Sequence, residues 1–330
     1  MRFHHWKRRE FITLLGGAAA ASLSARAQQG AVARRIGILI LANESDPIPR
    51  GWVAAFSAGL QDLGWLQDRS FHIDLRFATH PSSIQSSSAE LVDLTPDVIL
   101  VHSSPGTSAL RERTTKIPLV FVAVGDPVAN GFVASIARPG GNITGFTNLL
   151  PSIGGKWVEL LKEAAPRVTK VGLLFNPDLF FSQAYFASIE DTAAKLSVEF
   201  IRVPYRNATE LLHATDAIGA DANTGLLVLP PVSDYPAEFI ARLDQKRLPA
   251  ISNVRRFATA GGLLAYGADN SDLFRRASSY VDRILRGEKP GTLAVQFPTK
   301  FEMVLNLKAA KKLGLNVPLT LSSVATEVIE

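Results

Sequence analysis

The chain has 330 residues, with 35 Lys or Arg, 30 Asp or Glu and no Cys. Without Cys there are no disulfides, thiolate metal sites, iron–sulfur clusters, cysteine nucleophiles or lipid-bearing N-terminal Cys. The length implies about two domains, and an apolar content of 47% with a formal charge of only +5 excludes a disordered chain.

Residues 1–27 read as an export signal. Lys7-Arg8-Arg9 is a positive leader, Phe11 to Leu23 is a run of thirteen mostly apolar residues, and Ala25-Arg26-Ala27 is a cleavage site. The apolar run falls short of the ~20 residues that cross a bilayer, and Arg8-Arg9-Glu10-Phe11-Ile12 matches a twin-arginine address for folded cargo. Arg2, Lys7, Arg8, Arg9 and Arg26 against Glu10 supply +4 of the +5, leaving 30 basic and 29 acidic residues beyond them. The basic balance is thus mostly an address, and no nucleic-acid partner is expected. A protein starting near Gln28 or Gln29 and soluble outside a bacterial cytoplasm is.

Beyond the leader, short apolar runs alternate with amphipathic stretches. Strands are predicted over 35–41, 71–77, 97–101 and 118–122, with helices over 52–63, 85–94 and 105–113 between them. A turn cluster at Arg138-Pro139-Gly140-Gly141-Asn142 precedes a short extended piece over 143–148 and a helix over 156–165. The rhythm then restarts. Strands are predicted over 170–175, 198–203, 225–229, 249–252 and 262–266, with helices over 183–196, 207–218 and 236–246. A long helix is capped by Asp269 and stopped by Gly287 and Pro290. Near-continuous apolar strands alternating with helices predict an α/β protein of two doubly wound, Rossmann-like lobes.

Catalytic marks are missing. No G-x-G-x-x-G follows a strand, and Gly154-Gly155-Lys156 lacks the spacing of a P-loop. No G-x-S-x-G elbow is present, and the six His show no metal-ligand spacing. The pairs Arg255-Arg256, Arg275-Arg276 and Lys311-Lys312 read as solvated helix faces. No cofactor, no metal and no enzyme activity are expected.

Polar, small and Pro residues collect where the strands end, the place where open α/β sheets bind ligands. Ser103, Ser104 and Thr107 at a helix start form either a carboxylate receptor or a plain cap. Asp126 can neutralise an ammonium or form a turn. Asn176, Pro230, Tyr266 and Asp269 occupy the corresponding ends later in the chain, with Tyr266 either closing over an apolar ligand or belonging to the core.

Ordered motifs across the chain then resemble a known family. They are Val124-Gly125-Asp126-Pro127-Val128, Ala137 through Gly145, Lys156 through Pro166, Asn176-Pro177, Gly261 through Gly267, and Pro298-Thr299-Lys300-Phe301-Glu302. Together they are similar to the ABC-transporter substrate-binding proteins that include tryptophan/tyrosine-type receptors. The resemblance implies a type I periplasmic-binding-protein fold with a three-crossover hinge near 144–148, 266–268 and 297–302. It implies one lobe from 30–147 plus 267–298 and another from 148–266 plus 299–330. It further implies a monomeric periplasmic receptor that closes on a small carboxylate-bearing ligand, such as an aromatic amino acid, and delivers it to an inner-membrane ABC permease. In amino-acid receptors of this kind an acidic residue after the T-G motif can hold the ammonium; Asn148 stands there in this chain. A periplasmic sensory subunit, or a hydrolase or isomerase on the same lobes, are the alternative readings.

Overall fold

A computed structural model describes residues 33–219, 223–230 and 237–330; the expected export segment lies outside them. Strands β1 (Arg34–Leu41), β2 (Phe71–Ala78), β3 (Val98–His102), β4 (Leu119–Val124) and β5 (Ile143–Thr147) form a parallel sheet in the order β2-β1-β3-β4-β5. The middles of its central strands are apolar because helices cover both faces. One face carries α1 (Pro47–Asp62), whose Phe56 and Leu60 pack on Ile36, Ile38 and Val98. The other carries α2 (Pro81–Asp93) and α3 (Ser104–Arg113), whose Leu91 and Leu110 pack on Leu39, Ile99 and Phe121. Helix α1 starts earlier than its apolar period predicts. Asp46 accepts from the Ile48 amide, and Pro47 and Pro49 occupy the first turn, where their missing N–H groups cost nothing.

The second sheet holds β6 (Lys170–Phe175), β7 (Glu199–Pro204), β8 (Thr224–Val228), β9 (Ala250–Ser252), β10 (Leu264–Ala268), β11 (Phe301–Asn306) and β12 (Glu327–Ile329). Their order is β12-β11-β10-β9-β8-β6-β7, and only the β10–β11 pair is antiparallel. The helices around it are α4 (Ile153–Ala164), α5 (Phe186–Lys195), α6 (Ala208–Ile218), α7 (Ala237–Lys246) and α8 (Arg255–Thr259). Helix α9 (Asn270–Leu285) leaves this sheet and returns to the first, where Leu273, Phe274, Ala277 and Val281 join the core beneath α1. Helices α10 (Leu307–Leu313) and α11 (Leu319–Val324) complete the second layer.

Several elements differ from the sequence reading. The helix predicted over 183–196 opens as a 3-10 turn (Phe180–Tyr185) before α5. Elements β11, α10, α11, β12 and α8 were not predicted; 297–302 was read only as a crossover, yet the alternating Phe301, Met303 and Leu305 lie in a strand. The paired cations are solvated helix faces only in part: Arg256, Arg275, Lys311 and Lys312 are exposed, whereas Arg255 and Arg276 are half-buried. Arg255 ion-pairs with Glu302 and Glu327, Arg275 with Asp62, Arg276 with Asp272, and Lys312 with Asp244.

The chain crosses between the sheets three times. It leaves β5 for α4, leaves β10 for α9, and runs beside β5 before entering β11. That last segment is pinned by Thr147 N–H to the Gln296 carbonyl and Gln296 N–H to the Gly145 carbonyl, both at 2.9 Å. The Asp269 amide donates to the Lys300 carbonyl at 3.0 Å, tying the second and third crossings together. The molecule is an α/β protein of two doubly wound lobes joined by a three-crossover hinge.

Candidate functional site

The loops that follow the first sheet's strands meet at its carboxyl edge. Ser103, between β3 and α3, has φ +74°, a left-handed value that costs a non-glycine residue. Its amide donates to the Val122 carbonyl at 2.9 Å, and its carbonyl accepts from both the Thr107 amide and the Thr107 hydroxyl. These bonds hold the turn in its strained shape. The Ser103 hydroxyl does not cap α3, so the Ser104 amide and the half-buried hydroxyls of Ser103 and Ser104 remain available to an anion.

Thr107 corrects an expectation. It was placed among the carboxylate ligands, but it is fully buried and its hydroxyl is spent on the Ser103 carbonyl at 2.9 Å. It positions the turn instead of touching a ligand. Thr107→Val is expected to destabilise the protein by about 1 kcal/mol, seen as a lowered melting temperature. Thr107→Ser keeps the hydroxyl and is expected to retain most of the stability.

The other expected ligand residues are spread out. Asp126 accepts from the Val128 and Ala129 amides at 3.1 and 2.9 Å, so it builds the turn after β4. Asn148, half-buried at the first crossing, donates its amide to the Val124 carbonyl at 3.2 Å. At the second sheet, Asn176 accepts from the Asp178 amide at 2.9 Å, an Asx turn. Pro230 is half-buried beyond β8. Asp269 caps α9 by accepting from the Asp272 amide at 3.1 Å. Ser103, Ser104, Asp126 and Asn148 share the first sheet's carboxyl edge; Asn176 and Pro230 share the second's.

Tyr266 is not part of either edge loop. Its ring stacks on Phe301 with centroids 5.8 Å apart, in a groove of about 340 Å³ lined also by Lys156, Leu160, Glu163 and Met303. Every lining residue belongs to α4, β10, β11, α11 or the residues beside them, so the groove is a feature of the second lobe's flank. The Tyr266 carbonyl accepts from the Trp157 indole at 2.8 Å.

An aromatic group drawn from three separate elements stands beside the first edge. Trp52 lies 5.1 Å from the His102 ring and stacks on Phe274 at 5.6 Å, with His102 and Phe274 6.2 Å apart. Burial pushes the His102 imidazole from its ordinary 6.5 down to about 4, against a smaller opposing pull from the Leu41 backbone. Its Nδ1 has no hydrogen-bond partner among the described residues. Folded His102 therefore stays neutral where an unfolded chain begins to take up a proton, so the unfolded state binds more protons between these values. Stability is expected to fall as pH drops from 6.5 toward 4, by at most about 1.4 kcal/mol per pH unit from this group. Denaturant titrations at several pH values check this, and the slope should flatten in His102→Phe. Glu302 acts in the opposite sense. Burial pushes its carboxyl up, Arg255 pulls it down and Asp269 pushes it up again.

Among the described residues no three His, Asp or Glu side chains are grouped to hold a metal, and no helix is long and apolar enough to cross a membrane.

Comparison with known proteins gives this architecture relatives. A tyrosine-binding protein of Clostridioides difficile (strain R20291) is 27% identical over 276 residues, covering 82% of this chain and 77% of that one. The crystal structure of a conserved domain protein from Vibrio cholerae is 26% identical with a TM-score of 0.76, covering 90% of this chain and all of that one. The ABC domain from Streptococcus pneumonia in complex with L-Trp has the same TM-score and coverages at 23% identity, a likeness of fold. The family model described as ABC transporter substrate binding protein matches residues 45–329. With nearly all of the described chain under that model, this protein is a member of the ABC transporter substrate-binding protein family.

Proposed function

We propose that this protein is an exported solute receptor of an ABC importer, working in the periplasm as a monomer and capturing an aromatic amino acid or related aromatic acid between its lobes. The observation that carries the reading is the family match over 45–329, on a chain whose strained Ser103-Ser104 turn leaves a helix start uncapped at a sheet's carboxyl edge. The lobes take residues 30–147 plus 267–298 and 148–266 plus 299–330. The ligand's carboxylate meets the hydroxyls of Ser103 and Ser104 and the Ser104 amide, where the helix dipole favours an anion. Trp52 offers an aromatic surface beside that turn. Asp126 and Asn148 border the same edge, and Asn176 and Pro230 close from the second lobe. Hinge closure then completes the cage, favoured only by contacts that the open form lacks. This work needs no covalent chemistry and no cofactor.

Thermal denaturation of the purified protein with L-tryptophan, L-tyrosine, indole-3-propionate and simple carboxylates tests the proposal. A ligand at 100 times its Kd adds about 2.7 kcal/mol, and a rise of about 5–10 °C is expected for at least one aromatic compound. If no aromatic amino acid or acid raises the melting temperature, the reading is wrong. A rise with indole-3-propionate equal to that with L-tryptophan would show that the amine is not recognised, as the Asn at position 148 predicts.

A further inference from the structure

One cation of the pair read from the sequence as solvent-facing sits instead at the centre of the hinge. Arg276 lies two turns into α9, the helix that follows the second crossing. Its guanidinium donates to the Phe297 carbonyl at 3.1 Å and the Thr299 hydroxyl at 3.2 Å, both on the third crossing. The same group lies 5.3 Å over the ring of Phe146, which is buried in β5 two residues before the first crossing. From the helix that follows the second crossing, Arg276 therefore bonds the third crossing and stands over the strand that leads into the first.

The group is seated by Asp272, one helical turn earlier. Asp272 is a buried acid in the first turn of α9, 3.6 Å from Arg276 and 3.0 Å from the Lys300 ammonium. The helix N-terminus and the two cations all place positive charge beside this carboxylate. Lys300 is the residue whose carbonyl receives the Asp269 amide, so side-chain and main-chain bonds converge on one short stretch. Helix α9 packs on the first sheet, whereas residue 300 leads straight into β11 of the second. The ion pairs thus join a rigid element of one lobe to the strand entering the other.

We propose that Arg276, seated by Asp272 and Lys300, is a positioning residue for ligand capture: it ties the helix after the second crossing to the third crossing, over the strand that leads into the first, and limits the range over which the lobes move, without touching the ligand. The inference rests on the receptor reading for its effect on affinity. A guanidinium suits the role because its Nη1 donates to a carbonyl and a hydroxyl beside a carboxylate while its flat face covers a ring, which an ammonium cannot do. Loss of the clasp lets the lobes sample a wider set of angles. The competent closed arrangement is then a smaller fraction of the ensemble, and apparent affinity drops by that fraction.

The absence of Cys makes the test clean, because two introduced thiols are the only ones present. Spin labels at Glu112→Cys on α3 and Asp191→Cys on α5, both exposed positions, report the distance between lobes by pulsed dipolar spectroscopy. In that background Arg276→Gln and Asp272→Asn are each expected to broaden the distance distribution. Each is expected to weaken L-tryptophan binding by about fivefold or more in calorimetry, and the double variant is expected to do no worse than the more severe single one. Arg276→Lys keeps the charge but not the fork and should recover only part of the loss. Lys300→Gln removes a charge from an exposed side chain, so it tests the clasp without risking the fold. Distributions and affinities that match the parent in Arg276→Gln and Lys300→Gln would overturn the proposal. If the parent binds no aromatic probe, the receptor reading fails, and the label distances still decide whether the clasp restrains the lobes.

Discussion

Gly145→Ala is expected to lower the melting temperature by about 10 °C or more. A Cβ at this position would lie 2.1 Å from the Phe121 carbonyl oxygen and 2.6 Å from the Phe121 amide nitrogen. Both are backbone atoms of β4, so no side-chain rotation relieves the clash. Gly145 also has φ +154° and pairs directly with Phe121 across the ladder. The methyl group must push β5 away from β4, breaking ladder bonds and loosening the edge on which the third crossing rests at Gln296. A cost above about 4 kcal/mol belongs to this kind of backbone conflict, and at about 2–4 °C per kcal/mol the shift is large. Calorimetry decides it: a decrease below about 3 °C would mean that β5 sits farther from β4 than described. The T-G pair that carries part of the family resemblance is thus a packing requirement beside the hinge.

Trp157→Ala is expected to cost about 3–5 kcal/mol. The indole is almost completely buried in the core between α4 and the second sheet, and its ring lies 4.8 Å from that of Tyr185. Its N–H donates to the Tyr266 carbonyl at 2.8 Å, and this bond ties the helix after the first crossing to the strand before the second. Truncation leaves a cavity and an unpaired carbonyl together. Trp157→Phe separates the two effects: it refills most of the volume and removes only the donor, for about 1 kcal/mol. Chemical denaturation of both variants gives the two costs, and equal losses in Ala and Phe would show that the hydrogen bond, not the packing, dominates.

These expectations show where the chain could be read in advance. The parallel strands were legible because helices cover both sheet faces, which makes β4 wholly apolar and β1 and β6 apolar beyond their first charged residues. The start of α9 was legible because Asp269 accepts from the Asp272 amide, a bond fixed by local backbone geometry. By contrast, β11 was taken for a connection, since its flanking Pro, Thr and Lys read as a turn while its antiparallel partner lies 33 or more residues back in the chain.

The candidate site was legible only in part. The carboxyl edges of the strands locate the loops, so Ser103, Ser104, Asp126 and Asn148 fall along one edge as expected. Whether a hydroxyl faces solvent or the core is set by neighbours distant in sequence, and burial beneath the Ser103 turn removes Thr107 from the ligand surface. Tyr266 turns away from the edge because β10 pairs with β11 and sets its ring on Phe301. The Trp52–His102–Phe274 group brings together residues from α1, β3 and α9, up to 222 positions apart, and no local pattern marks it.

The sequence by itself determined the alternation of strands and helices, the Asp269 cap, the two doubly wound lobes and the family, because these depend on period, turn chemistry and motif order. Tertiary structure decided which polar groups are spent and which remain open, and where the paired cations go. Arg276 shows the difference. On its own helix it is one half of an exposed-looking Arg pair, and only the return of α9 to the first sheet sets its charge on the third crossing and over Phe146, segments far apart in sequence. Apolar periodicity records how much surface an element must bury; a charged side chain's role depends on which other segments arrive beside it.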